Sequence, residues 1–184
     1  MNKAAAFIDR DGVINEDAGY VHKPEDFILL PDVVEGLKLL QNAGYLIIII
    51  TNQAGIGRGI YTEDEYHSLT DYMLKLLSTQ GINITDVYFS PYHPIHGKGK
   101  YKIDSNCRKP KPGMILNACS DWDIALESSI LIGDKITDIE AGRAAGVKHC
   151  FLVGNEINNS SDYQRFNNLY EAVNWYLNEN KKGM

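Results

Sequence analysis

Five short apolar runs punctuate the chain: Ala4–Ile8, Tyr45–Ile50, the weaker Val87–Ser90, Ser129–Ile132 and His149–Val153. Each has the length of a β-strand. Tyr45–Ile50 is almost wholly apolar and β-branched, the pattern of a strand covered on both faces. Between these runs the period changes to that of a helix. Asp32 and Glu35 form a capping-box pattern ahead of a helix to Ala43, with Val34, Leu37 and Leu40 as its inner stripe and Gly44 as its stop. Thr62 and Glu65 repeat the box before Tyr66, Leu69, Met73, Leu76 and Leu77, and Gly81 closes that helix. Pro112 suits the first position of a helix over Met114–Trp122. Thr137–Ala145, stopped at Gly146, and a last helix carrying Leu169, Ala172, Val173, Tyr176 and Leu177 complete the set.

Strands alternating with helices predict an α/β fold, with a central parallel sheet between two helical layers. No repeat, low-complexity tract or linker divides the chain, so a single domain over 1–184 is expected. Of its 184 residues 44% are hydrophobic and 23% charged, ordinary values for a folded chain and too apolar for a disordered one. The longest apolar run is far below the ~20 residues of a membrane span. Asp9-Arg10-Asp11 follows the first run too closely for a secretory leader. Cys107, Cys119 and Cys150 are few and odd in number, which predicts a reducing, cytoplasmic setting. The net charge of −6 argues against general nucleic-acid binding, without excluding an anionic ligand held by local charge.

In parallel sheets ligands gather beyond the carboxyl ends of the strands. There the chain carries Asp9-Arg10-Asp11-Gly12-Val13, Thr51-Asn52-Gln53, Arg108-Lys109-Pro110, and Gly133-Asp134-Lys135 with Asp138. Two carboxylates two residues apart, with a third from Asp134, can hold a hard cation such as magnesium, which prefers oxygen ligands. Thr51 and Asn52 offer donors to phosphoryl oxygens, Lys109 a fixed positive charge, and Gly12 a sharp turn close to a bound group. Any one of these is ordinary turn chemistry. Their shared position at strand ends is what points to a site.

In these motifs the chain resembles the haloacid dehalogenase-like (HAD) phosphatase superfamily over Phe7 to about Val153. A narrower resemblance, to the D-glycero-D-manno-heptose 1,7-bisphosphate 7-phosphatase family, rests on four stretches. They are Asp9–Asn15 with Asp17 and Gly19-Tyr20-Val21, Thr51–Gly59, Cys107–Met114, and Gly133-Asp134-Lys135. The sister histidinol-phosphate phosphatases share the aspartate pair and Cys-Arg-Lys-Pro. The Gly19–His22 segment and the glycine-rich Gly55–Gly59 loop favour the heptose enzymes. The resemblance implies a three-layer Rossmann-like fold and a magnesium-dependent monomer that hydrolyses a sugar bisphosphate in nucleotide-heptose and lipopolysaccharide biosynthesis. It implies Asp9 as nucleophile, Asp11 as general acid and base, and Thr51 and Lys109 as stabilisers of phosphoryl charge. The metal would be held by Asp9, the Asp11 backbone carbonyl and Asp134, with Asp138 supporting Lys109 or a metal-bound water. Asp17, Tyr20, Asn52, Gln53, Arg58, Arg108 and Lys135 would face the substrate. A receiver-like module that keeps its acyl-phosphate as a signal would share the acids and the lysine. The position of Asp11 two residues after the nucleophile favours hydrolysis.

The chain departs from the family in one place. Many members hold a structural zinc with Cys-x-His and Cys-x-Cys, and the matching positions here are Ser90, Tyr92, Ser105 and Cys107. Structural zinc wants a closed four-ligand shell, so no zinc is expected, although His93 and His96 lie close to Cys107 in sequence. The segment 91–106 must then be ordered by Tyr92, Ile95, Tyr101 and Ile103, or stay mobile. Its Lys98, Lys100 and Lys102 read as a solvated loop, with contact to a second phosphate as the alternative. Neither the span before Thr51 nor that between Thr51 and Lys109 leaves room for a separate cap domain. Cys119 and Cys150 are expected to pack as small apolar groups, His67 and His149 to be structural or at the surface, and the tail 181–184 to fray.

Overall fold

The computed structural model describes residues 3–154 and 163–182. In chain order its elements are β1 (Ala5–Ile8), α1 (Val33–Asn42), β2 (Leu46–Asn52), α2 (Ala54–Arg58), α3 (Glu63–Thr79), β3 (Asp86–Ser90), α4 (Gly113–Trp122), β4 (Ile130–Gly133), α5 (Ile136–Ala145), β5 (His149–Val153), β6 (Gln164–Phe166) and α6 (Leu169–Lys182). The strands form one parallel sheet ordered β3-β2-β1-β4-β5-β6. The chain moves outward from β1 to β3 and then returns to β1's other side with β4. The crevice at the carboxyl end of β1 is therefore the sheet's switch point, where ligands of such folds bind.

Strand alternation builds two cores. Ala6, Ile8, Ile47, Ile49, Ile130, Ile132 and Phe151 face one side and pack with α1, α3 and α6. Ala5, Phe7, Ile48, Ile50, Leu131 and Leu152 face the other and pack with α4 and α5. Because both faces are covered, the inner strands show continuous apolar runs instead of alternation. Between β1 and β2 the described residues hold one helix, α1, with a short 3-10 turn and loop; between β2 and Lys109 they hold α2, α3, β3, a short 3-10 turn and loop.

The Thr62–Glu65 capping box forms as expected: Glu65 N donates to Thr62 Oγ1 at 3.1 Å and Thr62 N to Glu65 Oε2 at 2.7 Å. The box at Asp32 does not. Asp32 adopts a left-handed conformation, φ 62°, and its side chain caps nothing, so α1 starts without the predicted bond. Val33, rather than Val34, joins Leu37 and Leu40 in the fully buried stripe. Pro112 precedes α4 instead of opening it. Two elements were not expected. β6 is a three-residue polar edge strand, and α2 is a short helix where the glycine-rich segment read as a loop. Cys119 and Cys150 pack against the second core as free thiols, and burial pushes the Cys150 thiol up to about 11. His149 lies against the Tyr176 and Phe151 rings, and His67 against Tyr66 and Phe89. The expected frayed tail lies outside the described residues from 183 on, whereas α6 reaches Lys182.

The segment 91–106 is ordered mainly by Tyr101. Its ring joins a small cluster with Ile56, Tyr61, Tyr66 and Phe89, and its hydroxyl donates to Glu63 Oε1. Lys98 N donates to Gly57 O at 2.8 Å and His93 N to Tyr101 O at 3.1 Å. Ile95 and Ile103, expected to help, are 69% and 49% exposed and contribute no core. The run is too short and too polar around them to fold over its own apolar side chains. Lys100 is exposed, as the solvated reading requires.

Candidate active site

The four strand-end motifs converge on one cleft of ≈ 430 Å³, lined among others by Asp9, Asp11, Asp17, Tyr20, Thr51, Asn52, Gln53, Arg108, Lys109 and Lys135. β1 ends directly in Asp9, whose N–H extends the β1–β4 pairing to Ile132 O at 3.0 Å. The chain then reverses tightly, because the N–H groups of Val13, Ile14 and Asn15 all turn back to Arg10 O. Gly12 has φ 85°, and a Cβ there would collide with the Asp134 carboxylate. Only glycine combines that conformation with that approach.

Lys109 lies at the centre, 3% exposed. Its ammonium donates to Ile50 O at 2.9 Å and pairs with Asp9 Oδ1 at 2.8 Å and Asp138 Oδ1 at 2.6 Å. Burial alone would lower its pKa, but the Asp138 and Asp9 carboxylates raise it, so the buried lysine stays charged. Burial pushes Asp9 well above the ordinary carboxylate range; Lys109 opposes that rise, while Asp138 and Asp134 add to it. Burial likewise holds Asp134 at about 6, against the pull of the Lys135 ammonium.

Carboxylate oxygens of Asp9, Asp134 and Asp138 lie within 4.8 Å of one another, the one such set of ligating side chains among the described residues. Asp134 Oδ1 is buried without a hydrogen-bond partner. An all-oxygen donor set with an idle buried acceptor fits a magnesium ion. Asp138 is held on both oxygens: Oδ1 pairs with the Lys109 ammonium at 2.6 Å, and Oδ2 accepts from Lys135 N at 2.9 Å. Asp9, whose Oδ1 accepts from Arg10 N at 2.7 Å, and Asp134 are the other two carboxylates of the set. His93, His96 and Cys107 form no comparable set among the described residues.

The Asp11 carboxylate points elsewhere. Arg10 grips it through Nε at 3.1 Å and through Nη2 at 2.8 and 3.0 Å, Asn15 Nδ2 donates at 3.0 Å, and Gln53 Nε2 at 3.0 Å. Arg10 also donates to Val21 O, which ties the 16–22 loop to the acid. The sequence motifs include Arg10 and Asn15 without assigning them a role, and Tyr61 lies outside them. An arginine between two aspartates in an apolar setting is itself a signal of burial with a partner. Tyr61 carried none.

The residues expected to face substrate divide into three kinds. Asn52 is used structurally, its amide exchanging two 3.1 Å bonds with the Lys109 backbone. Gln53 is fully engaged by Asp11, Thr51 and Tyr61. Asp17 and Lys135 pair at 3.0 Å across the cleft; burial opposes ionisation of Asp17, and the Lys135 ammonium outweighs it. Arg108 donates to Tyr92 O, and Arg58 lies outside the cleft lining over the Tyr20 ring, 5.7 Å from its centroid. Neither arginine has a carboxylate partner among the described residues, and the Arg58 Nε is buried and idle. Burial, together with Arg58, lowers the Arg108 pKa, so the two cations stand close enough to repel.

The HAD-hydrolase-like family model matches residues 106–176. The D-glycero-alpha-D-manno-heptose-1,7-bisphosphate 7-phosphatase of Burkholderia mallei is 50% identical over 83% of this chain and 81% of its own. The chain belongs to the heptose-bisphosphate 7-phosphatase family of HAD-like hydrolases. A Vibrio cholerae member, named for the beta anomer, is 45% identical over 83% of this chain and 82% of its own. The crystal structure of D,D-heptose 1,7-bisphosphate phosphatase from B. bronchiseptica, complexed with magnesium and phosphate, is 26% identical. It covers 96% of this chain and 99% of its own, with a TM-score of 0.83. Within this family the fold is the expected Rossmann-like sheet.

Proposed function

We propose that this protein is a magnesium-dependent phosphatase that removes the 7-phosphate of D-glycero-D-manno-heptose 1,7-bisphosphate. The observation that carries the reading is the Asp9 carboxylate at the end of the central strand, 2.8 Å from Lys109 and beside the idle oxygen of Asp134. Asp9 attacks phosphorus and the P–O bond to the sugar breaks. Asp11 gives the leaving oxygen its proton, leaving an aspartyl-phosphate. Asp11 then takes a proton from the water that cleaves this intermediate. Lys109 opposes the rise that burial imposes on the Asp9 pKa and aligns its carboxylate, and Thr51 lies beside the transferred group at the end of β2. Asp9, Asp134 and the Asp11 carbonyl would hold magnesium, which offsets the repulsion between the nucleophile and the anionic phosphate.

Arg58 and Arg108, lacking carboxylate partners, suit the second phosphate, which arginine can grip with two parallel hydrogen bonds. Tyr20, Asp17 and Lys135 line the way to it. We further read the protein as a cytoplasmic monomer of one domain, taking neither nucleic acid nor membrane; its free thiols support the reducing setting.

The test is magnesium-dependent phosphate release from both anomers of the bisphosphate, with histidinol phosphate alongside and Asp9→Asn as control. Preference for one bisphosphate anomer, abolished in the variant, is the expected result. Turnover of histidinol phosphate alone overturns the substrate. A stable acyl-phosphate without turnover overturns the enzyme reading in favour of a receiver-like module.

A further inference from the structure

His93 lies in none of the four strand-end motifs, yet its ring stands against the two arginines that suit the second phosphate. We propose that His93 is a specificity-determining residue of that subsite: its Nε2–H donates to the second phosphate of the substrate, beside Arg58 and Arg108. The inference rests on the bisphosphate reading of the cleft.

The turn that carries the ring decides which nitrogen bears the hydrogen. Ile95 N donates to His93 Nδ1 at 3.2 Å, and His96 N donates to it at 3.1 Å. A backbone N–H only donates, so Nδ1 is the acceptor, and the neutral ring has its hydrogen on Nε2. Burial lowers the His93 pKa, and the Arg108 and Arg58 charges lower it further, so the ring is uncharged at neutral pH. Its backbone is anchored on both sides. His93 N donates to Tyr101 O at 3.1 Å, and His93 O accepts from Gly97 N at 3.0 Å. A Cβ on Gly97 would run into both of those carbonyl oxygens, so glycine lets the loop close around the ring.

Arg58 Nη2 lies 3.5 Å from His93 Nε2. Both atoms carry hydrogens, so the contact satisfies neither. Arg58 Nε is buried without a partner, and Arg108 donates to the Tyr92 carbonyl. None of the three side chains has a carboxylate partner among the described residues. Donors gathered in this way, with no anion of their own, suit an anionic ligand. The charge also fits. Two guanidinium groups balance a phosphomonoester, which carries about −1.5 to −2 at pH 7. A neutral imidazole adds a hydrogen bond without a third positive charge for the arginines to repel.

Because the turn uses Nδ1 and the subsite uses Nε2, substitution separates the two roles. His93→Asn keeps an oxygen able to accept from Ile95 N and His96 N but has no atom that reaches as far as Nε2. His93→Gln extends an amide nitrogen to about that reach. The measurement is kcat/KM for the heptose 1,7-bisphosphate and for the heptose 7-phosphate, which lacks the second phosphate. A hydrogen bond to a charged group is worth about ten-fold or more. His93→Asn is therefore expected to lower the ratio, bisphosphate over 7-phosphate, about ten-fold, with KM for the bisphosphate carrying the loss. His93→Gln should bring the ratio back to within about three-fold of the unmodified protein. If His93→Asn leaves the ratio unchanged, or His93→Gln recovers none of the loss, the proposal is overturned. The unmodified protein distinguishes the two readings. A ratio near one means that the second phosphate is not recognised, and the bisphosphate reading fails first. A high ratio untouched by His93→Asn overturns the role of His93 alone.

Discussion

At the scale of single residues, the site concentrates like charge. Asp9, Asp134 and Asp138 crowd within 4.8 Å around one ammonium, leaving an excess of negative charge in a buried place. Burial lifts the Asp134 carboxyl to about 6, above its ordinary 3.8. A bound cation must displace that proton. The sign follows directly: above pH 6 the carboxylate is ready for the ion, and below it proton and metal compete. Magnesium affinity, measured by calorimetry on the purified protein, should fall about ten-fold between pH 7 and pH 5, and Asp134→Asn should abolish both the binding and its pH dependence. The aspartates were legible in the sequence because each follows an apolar strand. The groups that orient Asp11 were not. Arg10 and Asn15 act through where their side chains return, and no spacing rule reports that.

At the scale of elements, the two inner strands were legible because their apolar runs are unbroken, whereas β6 offers only Gln164, Arg165 and Phe166. α2 was hidden by its own glycines, which are poor helix formers. They are present because neighbours press on them: the Tyr61 ring at Gly55, and Pro91 O and Tyr101 at Gly57. Packing there overrides propensity. The same contacts dock the 91–106 segment, which in turn sets the Tyr92 carbonyl that receives Arg108. Tyr101 is the pin, through its ring and its bond to Glu63. Tyr101→Ala should free the segment, so that trypsin cuts at Lys98, Lys100 or Lys102 at least ten-fold faster than in the unmodified protein. KM for the bisphosphate should rise about ten-fold while kcat stays within three-fold, because Arg108 is misplaced and Asp9 is not.

At the scale of the whole molecule, β1 decides both stability and function. It pairs with β2 on one side and β4 on the other, so neither half of the sheet closes without it. The nucleophile sits on the residue that follows it, with its main chain still in the β1–β4 ladder. A fold organised in this way should not lose one face before the other. The two tryptophans test this, because they report opposite layers. Trp122 ends α4 on one face, its indole donating to Asp86 Oδ2 at 3.0 Å, and Trp175 lies in α6 on the other, against Phe151 and Phe166. Trp122→Phe and Trp175→Phe each leave a single reporter. Denaturant titrations of the two variants, each followed by fluorescence and by far-ultraviolet circular dichroism, should give coincident transitions by both probes. Separation of fluorescence from dichroism in either variant would mean that the helical layers melt independently. The strand-end site would then depend on one layer alone, and the single-domain reading would give way to two weakly coupled halves.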